Sequence, residues 1–347
     1  MDVPRGRLTV APRVGVVMLA YGDEPVLDLA VDAVLASTGV QVRLVLVDNG
    51  CRRPDLAQIA DRAAVVLLRP GTNLGFAGGV DAGAVLVDEE FLALVNSDAV
   101  VAPDALARLA AVAADPAVGI ASGSIRLADD PETMNSVGNP VHMLGLSWAG
   151  GLGEPASRHA DARDVASASG AGLVLRRELW QQLGGFPVEF FAYHEDVDLS
   201  WRVWQRGLTV RYVPDAVVEH HYEFSRNPQK MYLLERNRLL FVLTCYGGRT
   251  LVLLAPLLVA FELAMGLVAA AQGWGRLKVR GWRWVLGHLG WVSARRRAVQ
   301  AARRVPDREL AHLWSVRFDA AAMPLPRWAG PVQGLLAAAL RLVRRAV

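Results

Sequence analysis

A chain of 347 residues in which 53% of the side chains are hydrophobic can bury a sizeable core, which excludes disorder as its global state. Its two cysteines, Cys51 and Cys245, lie far apart, which excludes a cysteine-based zinc cluster and fits a reducing compartment. The net charge of +3 hides an asymmetry: residues 226–347 hold 20 Lys and Arg against 5 Asp and Glu, the first 225 hold 17 against 29, and six of the ten tryptophans fall in the later part. Cations that meet headgroups and indoles that occupy an interface point to an anionic lipid surface; nucleic acid is the poorer partner, because the apolar runs between the arginines would do nothing for a phosphate backbone.

In chain order, Val14 to Leu19 is an unbroken apolar run, Val26 to Ser37 has helical periodicity, and Val42 to Val47 is apolar and β-branched before it stops at Asp48-Asn49-Gly50. This is a strand, helix, strand pattern. The first run leads into a turn rather than a small-residue cleavage site, so no signal peptide is expected. Val65 to Leu68 predicts a third strand, Gly79 to Asp88 a helix, Phe91 to Val95 a fourth strand ending at Asn96-Ser97-Asp98, and Pro103 to Ala114 a helix with proline in its first turn. Strands alternating with helices predict an α/β fold with a doubly wound, mostly parallel sheet whose ligands sit at the carboxyl ends of the strands. Asp48 and Asp98 both fall at such ends.

From Ile125 to Asp164 the chain is rich in Gly, Pro, Asn and Asp without periodicity, and a loop-rich region lining the site is expected. Ser167 to Arg176 resumes as a strand, Glu178 to Leu183 as a short helix stopped by Gly184-Gly185, and Val197 to Gln205 as a helix stopped by Gly207. Val210 to Val213 and Val217 to Val218 follow as short strands, and everything after about residue 226 is predicted helical. Two units are expected: a catalytic α/β domain over 13–225 and a C-terminal helical, basic, Trp-rich region over 226–347. Within the second, Leu251 to Ala271 is interrupted only by Pro256 and Glu262. Its length suits a bilayer, whereas a mid-segment Glu calls for protein or a cavity beside it, so a membrane element and a buried helix both remain open. Arg276, Lys278, Arg280, Arg283 and Arg295 to Arg297, set among tryptophans, have an interfacial character.

Several strand ends carry polar chemistry. Asp48 before Asn-Gly suits a turn as well as a site. The stretch GTNLGFAGGVDAG, Gly71 to Gly83, places glycines before a helix, where backbone amides can approach a phosphate. Asn96-Ser97-Asp98 displays oxygen ligands suited to a hard divalent cation, Mg²⁺ or Mn²⁺, and His220 or His221 can supply a further ligand or be structural. In FFAYHEDVDLSWR, Glu195 and Asp196 stand at a helix start where the dipole tolerates carboxylates, while Asp198 and Arg202 are four apart and can pair. No Ser-His-Asp or Cys-His arrangement argues for a covalent nucleophile.

The series LVDNG, NLGFAGG, NSD, SGAGLVLRR, GGF, FFAYHEDVDLSWR, HHYEFS and RNR resembles the glycosyltransferase family 2 enzymes, inverting transferases of the GT-A fold, nearest in character to the rhamnosyl- and galactofuranosyl-transferase-like branch. The resemblance covers about residues 13 to 240. It implies a Rossmann-like nucleotide-binding domain in which Asp48, with Tyr21 nearby, contacts the nucleotide of a dTDP-, UDP- or GDP-linked sugar, and Asn73, Gly75, Phe76, Gly78 and Gly79 lie against the nucleotide and diphosphate. Asn96 and Asp98 stand at the DxD-type motif, with Asp98 as the metal carboxylate and His220 as a further ligand. Asp196 matches the general base, with Glu195 beside it, and Asp198, Trp201 and Arg202 are expected on the acceptor side or in support. The chain departs from the family pattern at Asn96, at Gly22 after Tyr21 and at Pro187 after GGF.

What the resemblance implies is metal-dependent transfer of a sugar to a lipid-linked or polysaccharide acceptor in cell-envelope synthesis, at the cytoplasmic face of the membrane. Two rivals are weighed against it. A metal-dependent nucleotidyltransferase would release pyrophosphate, and a catalytically silent membrane scaffold would bind no nucleotide.

Overall fold

The computed structural model describes residues 11–221, 229–318 and 330–346. The first ten residues and most of the HHYEFS stretch, from Tyr222 onward, lie outside them. In chain order the elements are β1 (Arg13–Gly22), α1 (Leu27–Leu35), β2 (Gln41–Cys51), α2 (Leu56–Ala60), β3 (Val65–Leu68), α3 (Gly75–Ala84), β4 (Phe91–Val95), β5 (Ala99–Val101), α4 (Ala105–Ala113), β6 (Val118–Leu127), β7 (Asp130–Ser136), β8 (Val141–His142), β9 (Arg163–Asp164), β10 (Gly172–Arg176), α5 (Arg177–Leu183), α6 (Glu195–Gln205) and β11 (Thr209–His220). There follow α7 (Lys230–Cys245), α8 (Gly248–Ala271), α9 (Gly275–Gly287), α10 (Leu289–Ala302), α11 (Asp307–Leu310), β12 (Trp314–Ser315) and α12 (Gly330–Ala346).

The main sheet runs β3-β2-β1-β4-β10-β6-β11-β5, with β7 added to β6 and β9 to β11. Its first half is parallel, in register from Arg13 opposite Gln41 to Ala20 opposite Asp48. Alternate residues of the buried strands feed two cores: Val17, Leu19, Val45 and Val47 meet α3 on one face, while Val16, Met18, Leu44 and Leu46 meet α1 and α4 on the other. Strands buried on both faces read as continuous apolar runs, which is how they were legible. β10 is antiparallel to β4 and to β6, and β6 is parallel to β11. β4 and β11 therefore point the same way, and Asp98 and His220 emerge at the same sheet edge as Asp48.

Three expectations need correction. The stretch expected to be loop from Ile125 to Asp164 contains the end of β6, then β7, β8, β9 and a 3₁₀ turn at Ala156–His159. The strand β7 (DPETMNS) is polar because it extends an edge, so it lacks the apolar alternation of a central strand. Helix α3 begins at Gly75 rather than Gly79, since the glycine run is itself the first helical turn. The two short strands predicted after Gly207 are one, β11, with a register shift between Val213 and Val217 around Pro214.

The C-terminal helices close over the sheet. α7 packs on α9 and α10, β12 pairs with β8, and Trp314 stacks on Trp201 at 5.4 Å. Among the described residues α8 is the one helix long and apolar enough to cross a membrane. Its Glu262 is not alone: Arg238 and Lys278 pair with it, the latter at 2.9 Å, and Trp282 Nε1 donates to it at 2.7 Å. Glu235 joins the same buried group through Lys278 and Arg238.

Candidate active site

The nucleotide end is built on a local turn, Asp48 to Cys51, at the carboxyl end of β2. Asp48 Oδ1 accepts from the amides of Gly50 (3.3 Å) and Cys51 (3.0 Å), so the carboxylate closes the turn, yet a quarter of the side chain remains exposed. Tyr21, 61% exposed, lies over Gly50, whose added Cβ would come within 3.7 Å of the ring and 3.9 Å of Asn73 Cβ. Asn49, a residue the sequence did not single out, is buried and ties this turn to the glycine loop: its Nδ2 donates to Gly75 O (3.0 Å) and its Oδ1 accepts from Leu74 N (2.8 Å). Asn73 Oδ1 accepts from Gly75 N at 2.8 Å and shapes the helix start. Gly78 and Gly79 are buried in the first turns of α3, and a Cβ at Gly79 would stand 2.6 Å from Leu19 Cδ2. Gly79 thus serves the close approach of helix and sheet.

Next to this loop runs the stretch that leads into the acids. Phe191, Tyr193 and His194 all have left-handed backbones, with φ of 62°, 70° and 75°. Left-handed non-glycine residues are strained and persist only where surroundings hold them. Here the holding groups come from α7. Asn237, fully buried, donates from Nδ2 to the carbonyls of Phe190 (2.9 Å), Ala192 (2.9 Å) and Tyr193 (2.7 Å), and Arg236 donates to Glu189 O (2.7 Å) and Phe190 O (2.9 Å). His194 is fixed by a 2.8 Å hydrogen bond between Nε2 and Gly145 O. Phe191 O in turn accepts from Ala77 N at 3.0 Å, and a Cβ on Gly75 would sit 2.3 Å from it. The clamp therefore sets the glycine loop and the acids against each other. The RNR motif was the signal for it, but nothing in the sequence said what the motif touches.

Of the three acids, Asp196 alone is not fully buried. Its Oδ2 accepts from Gly170 N (3.3 Å) and Asn139 Nδ2 (3.4 Å), and its Oδ1 from Val197 N (2.8 Å). Gly170 brings Phe76 to the same place, since an added Cβ there would lie 3.6 Å from the Phe76 ring and 3.9 Å from Asp196 Cβ. Burial pushes the Asp196 carboxyl up to about 6, against the hydrogen bonds from the Val197 and Gly170 amides, which pull it down. Glu195 is buried, its Oε2 has no hydrogen-bond partner among the described residues, and burial followed by the charge of Asp196 raises its carboxyl well above the usual range. Asp198 points away into the core, where Arg202 Nε (2.7 Å) and Arg295 (2.6 Å) meet it. Burial opposes its ionisation, but Arg295 and Arg202 outweigh this and hold its carboxyl at about 2. Trp201 is fully buried as well. Asp198, Trp201 and Arg202 are thus parts of the seam between α6 and the C-terminal helices, a correction to any acceptor-facing role.

At the ends of β4 and β11, His220 Nε2 lies 3.1 Å from Asp98 Oδ1, and His220 Nδ1 lies 3.0 Å from Asn135 Oδ1. An imidazole protonated at Nδ1 offers a lone pair at Nε2, and a carbonyl oxygen hydrogen-bonded to Nδ1 is the common arrangement for a metal-ligating histidine. Asn96 begins the same strand-end turn, its amide donating to Ala171 O at 3.3 Å. Among the described residues no three His, Cys, Asp or Glu side chains converge. The two ligands among the described residues, with water and diphosphate oxygens, match how Mg²⁺ and Mn²⁺ are held at phosphate sites, so the residues present fit such an ion. His221 supplies its amide to Asp98 O (2.8 Å).

The family model described as glycosyltransferase-like family 2 matches residues 12–239, spanning the sheet, the glycine loop, the acids and the start of α7. The chain belongs to this family. It is a glycosyltransferase, and its sheet has the GT-A architecture. An N-acetylglucosaminyl-diphospho-decaprenol L-rhamnosyltransferase of Mycobacterium tuberculosis is 31% identical over 235 residues, covering 60% of this chain and 76% of that protein. An O-antigen biosynthesis protein of Myxococcus xanthus is 27% identical over 228 residues, 62% of this chain and 18% of that one. Among solved structures, GalNAc-T7 with UDP, GalNAc and Mn²⁺ superposes with a TM-score of 0.57 at 17% identity, over 67% of this chain and 48% of that one. A mannosyltransferase from Pyrobaculum calidifontis in complex with GDP-Man and Mn²⁺ superposes with a TM-score of 0.50 at 18% identity, over 97% and 88%. These structures share the glycosyltransferase's fold, and the family assignment sets aside the nucleotidyltransferase and scaffold readings.

Proposed function

We propose that this glycosyltransferase moves a sugar, with inversion, from a dTDP-, UDP- or GDP-linked donor to a hydroxyl of a lipid-linked or glycan acceptor in cell-envelope polysaccharide synthesis. The observation that carries the reading is Asp196: a carboxylate raised to about 6, held by Gly170 and Asn139 beside Phe76 of the glycine loop, where the residue after Gly170, Ala171, accepts from the Asn96 amide at the sheet edge that bears Asp98 and His220. Supporting the acceptor class is the rhamnosyltransferase relative, whose name specifies a diphospho-decaprenol substrate. The nucleotides in the neighbouring structures support the donor class.

In this reading Asp196 takes the proton of the acceptor hydroxyl as its oxygen bonds to the anomeric carbon and the nucleoside diphosphate leaves from the opposite face. Gly170 and Asn139 keep the carboxylate in place, and a pKa near 6 leaves it deprotonated at neutral pH yet basic enough to accept a proton. Asp98 and His220 would hold Mg²⁺ or Mn²⁺, which supplies positive charge to the departing diphosphate. Tyr21, Asp48 and Asn73 flank the nucleotide, and the loop from Asn73 to Phe76 lies against its phosphates. Glu195, buried beside Asp196, orients the helix start. A single displacement needs no protein nucleophile. The basic, Trp-rich helices hold the enzyme to the cytoplasmic face of the membrane, where a lipid-linked acceptor presents its headgroup.

The test is a panel of dTDP-, UDP- and GDP-sugars with the full chain, with Mn²⁺ or Mg²⁺ and after chelation. Nucleoside diphosphate release that requires the ion is expected. Asp196→Asn should bind donor and lose transfer. Pyrophosphate release, or near wild-type transfer by Asp196→Asn, would overturn the reading.

A further inference from the structure

We infer that α8 lies in the plane of the membrane, seated in one leaflet by its exposed apolar stripe, and does not cross the bilayer. The inference deepens the membrane association proposed above and rests on it. By length alone the opposite is expected: 24 residues of helix extend about 36 Å, enough for a hydrocarbon core of about 30 Å.

Packing decides otherwise. Along one side of α8, Thr250, Leu254, Met265 and Ala269 are buried against protein from its first turn to its last. On the opposite side Val252, Val259, Leu263 and Leu267 are 77%, 59%, 64% and 74% exposed, and no charged residue interrupts them between Arg249 and the helix end on that side. A helix with one long side on its own protein and the other wholly apolar presents that outer stripe to lipid, and its charged neighbours decide at what depth.

The buried ion group makes the choice sharper. Glu262 stands near the middle of α8 and pairs with Lys278 of α9 at 2.9 Å and with Arg238 of α7. Were α8 to cross the bilayer, that group would sit near the midplane. Arg276 and Arg280 flank Lys278 on α9 and are both exposed, about 3 Å from it along the helix axis. Crossing would thus carry the exposed Arg276, and Arg280 stacked over the Tyr232 ring at 4.3 Å, close to the bilayer centre, where a charge is least tolerated. With α8 in the plane, the same arginines, together with Arg283, stay at headgroup level, where anionic lipid attracts them. The exposed Leu335 and Leu342 of α12, which packs on α8, add apolar surface beside Arg341 and Arg345.

The experiment uses the full chain with Cys51→Ser and the fully buried Cys245 retained. Single cysteines at 252, 259, 263 and 267 carry a fluorophore, and the protein is bound to vesicles of phosphatidylglycerol and phosphatidylethanolamine containing lipids with nitroxides at fixed acyl depths. In-plane seating places all four labels at one depth, about 5–10 Å below the boundary. A depth profile deepest at 259 and shallower by about 10 Å at 252 and 267 would overturn the inference while leaving membrane association intact. No quenching at any position would overturn both, and a dimer in solution would then name a second copy as the occupant of the stripe. Replacing Leu263 and Leu267 together by Glu should lower vesicle partitioning about tenfold or more without changing donor turnover in solution. Unchanged partitioning would also refute the seating.

Discussion

Removing the Asn237 side chain should open the segment that carries the catalytic acids. Asn237 is fully buried, and its Nδ2 donates at 2.7–2.9 Å to the carbonyls of Phe190, Ala192 and Tyr193. Its two N–H groups, shared among three carbonyls, contribute about 1 kcal/mol net each, and the buried carbonyls left unpaired add to the loss, so Asn237→Ala should cost about 3 kcal/mol. The loss falls on a stretch whose left-handed residues Phe191, Tyr193 and His194 are already strained by about 1 kcal/mol or more each, so the stretch can relax without the sheet unfolding. Three kcal/mol corresponds to about a hundredfold, and turnover should fall by about that factor as Asp196 leaves its position. The assays are donor turnover and amide hydrogen exchange: exchange over residues 191–197 should accelerate about a hundredfold while β1 and β2 keep their protection. Asn237→Asp, which keeps the shape but turns acceptors toward the three carbonyls, should be at least as damaging. A variant that loses stability globally, keeps these amides protected and turns over at the wild-type rate would refute the clamp and leave Asn237 as ordinary core.

Asp198→Ala should destabilise the protein by about 3–5 kcal/mol in denaturant unfolding, since Arg202 and Arg295 would remain buried without their shared carboxylate. Because the folded carboxyl lies at about 2, below its ordinary 3.8, its contribution is present above about pH 4 and is lost as the pH falls toward 2, so the variant's deficit should shrink over that window. Transfer should fall about tenfold per pH unit below 6 as Asp196 takes up a proton, and Asp196→Asn should lower it by about 10²–10⁴ at neutral pH. The fold responds with the opposite sign: with the Asp196 pKa raised above 3.8, this group favours the folded state most below about pH 4 and that contribution is lost as the pH rises through 6, as denaturation across pH would register. Gly75→Ala places a Cβ 2.3 Å from Phe191 O at a φ of 73°, and donor affinity measured by calorimetry should weaken by about tenfold or more as the loop gives way.

Much of this protein was legible in its sequence, and the reasons are local. β1, β2 and β4 are buried on both faces, so they appear as unbroken apolar runs, and the runs of β2 and β4 give way to polar residues that face solvent or ligand: Asp48 within β2, and Asn96 and Asp98 after β4. The stop of α5 at Gly184 follows from a left-handed φ of 73°. β7 was not legible, because an edge strand half in water needs no apolar pattern, and α3 began early because glycines hide a helical period.

The sequence by itself determined the strand and helix alternation, the chemistry offered at the strand ends and the basic, apolar character of the C-terminal region, since each follows from residue types and their spacing along one element. Only the tertiary structure decided which side chains meet. Asp98 finds His220 across 122 residues, Asn49 finds the glycine loop, and Asn237 finds the strained carbonyls before Glu195. It also left Asp196 partly exposed while burying Glu195 and Asp198, and gave Glu262 its cations. Those pairings depend on strand order and helix packing, and burial then sets which charges persist; neither is a property of any short stretch of chain.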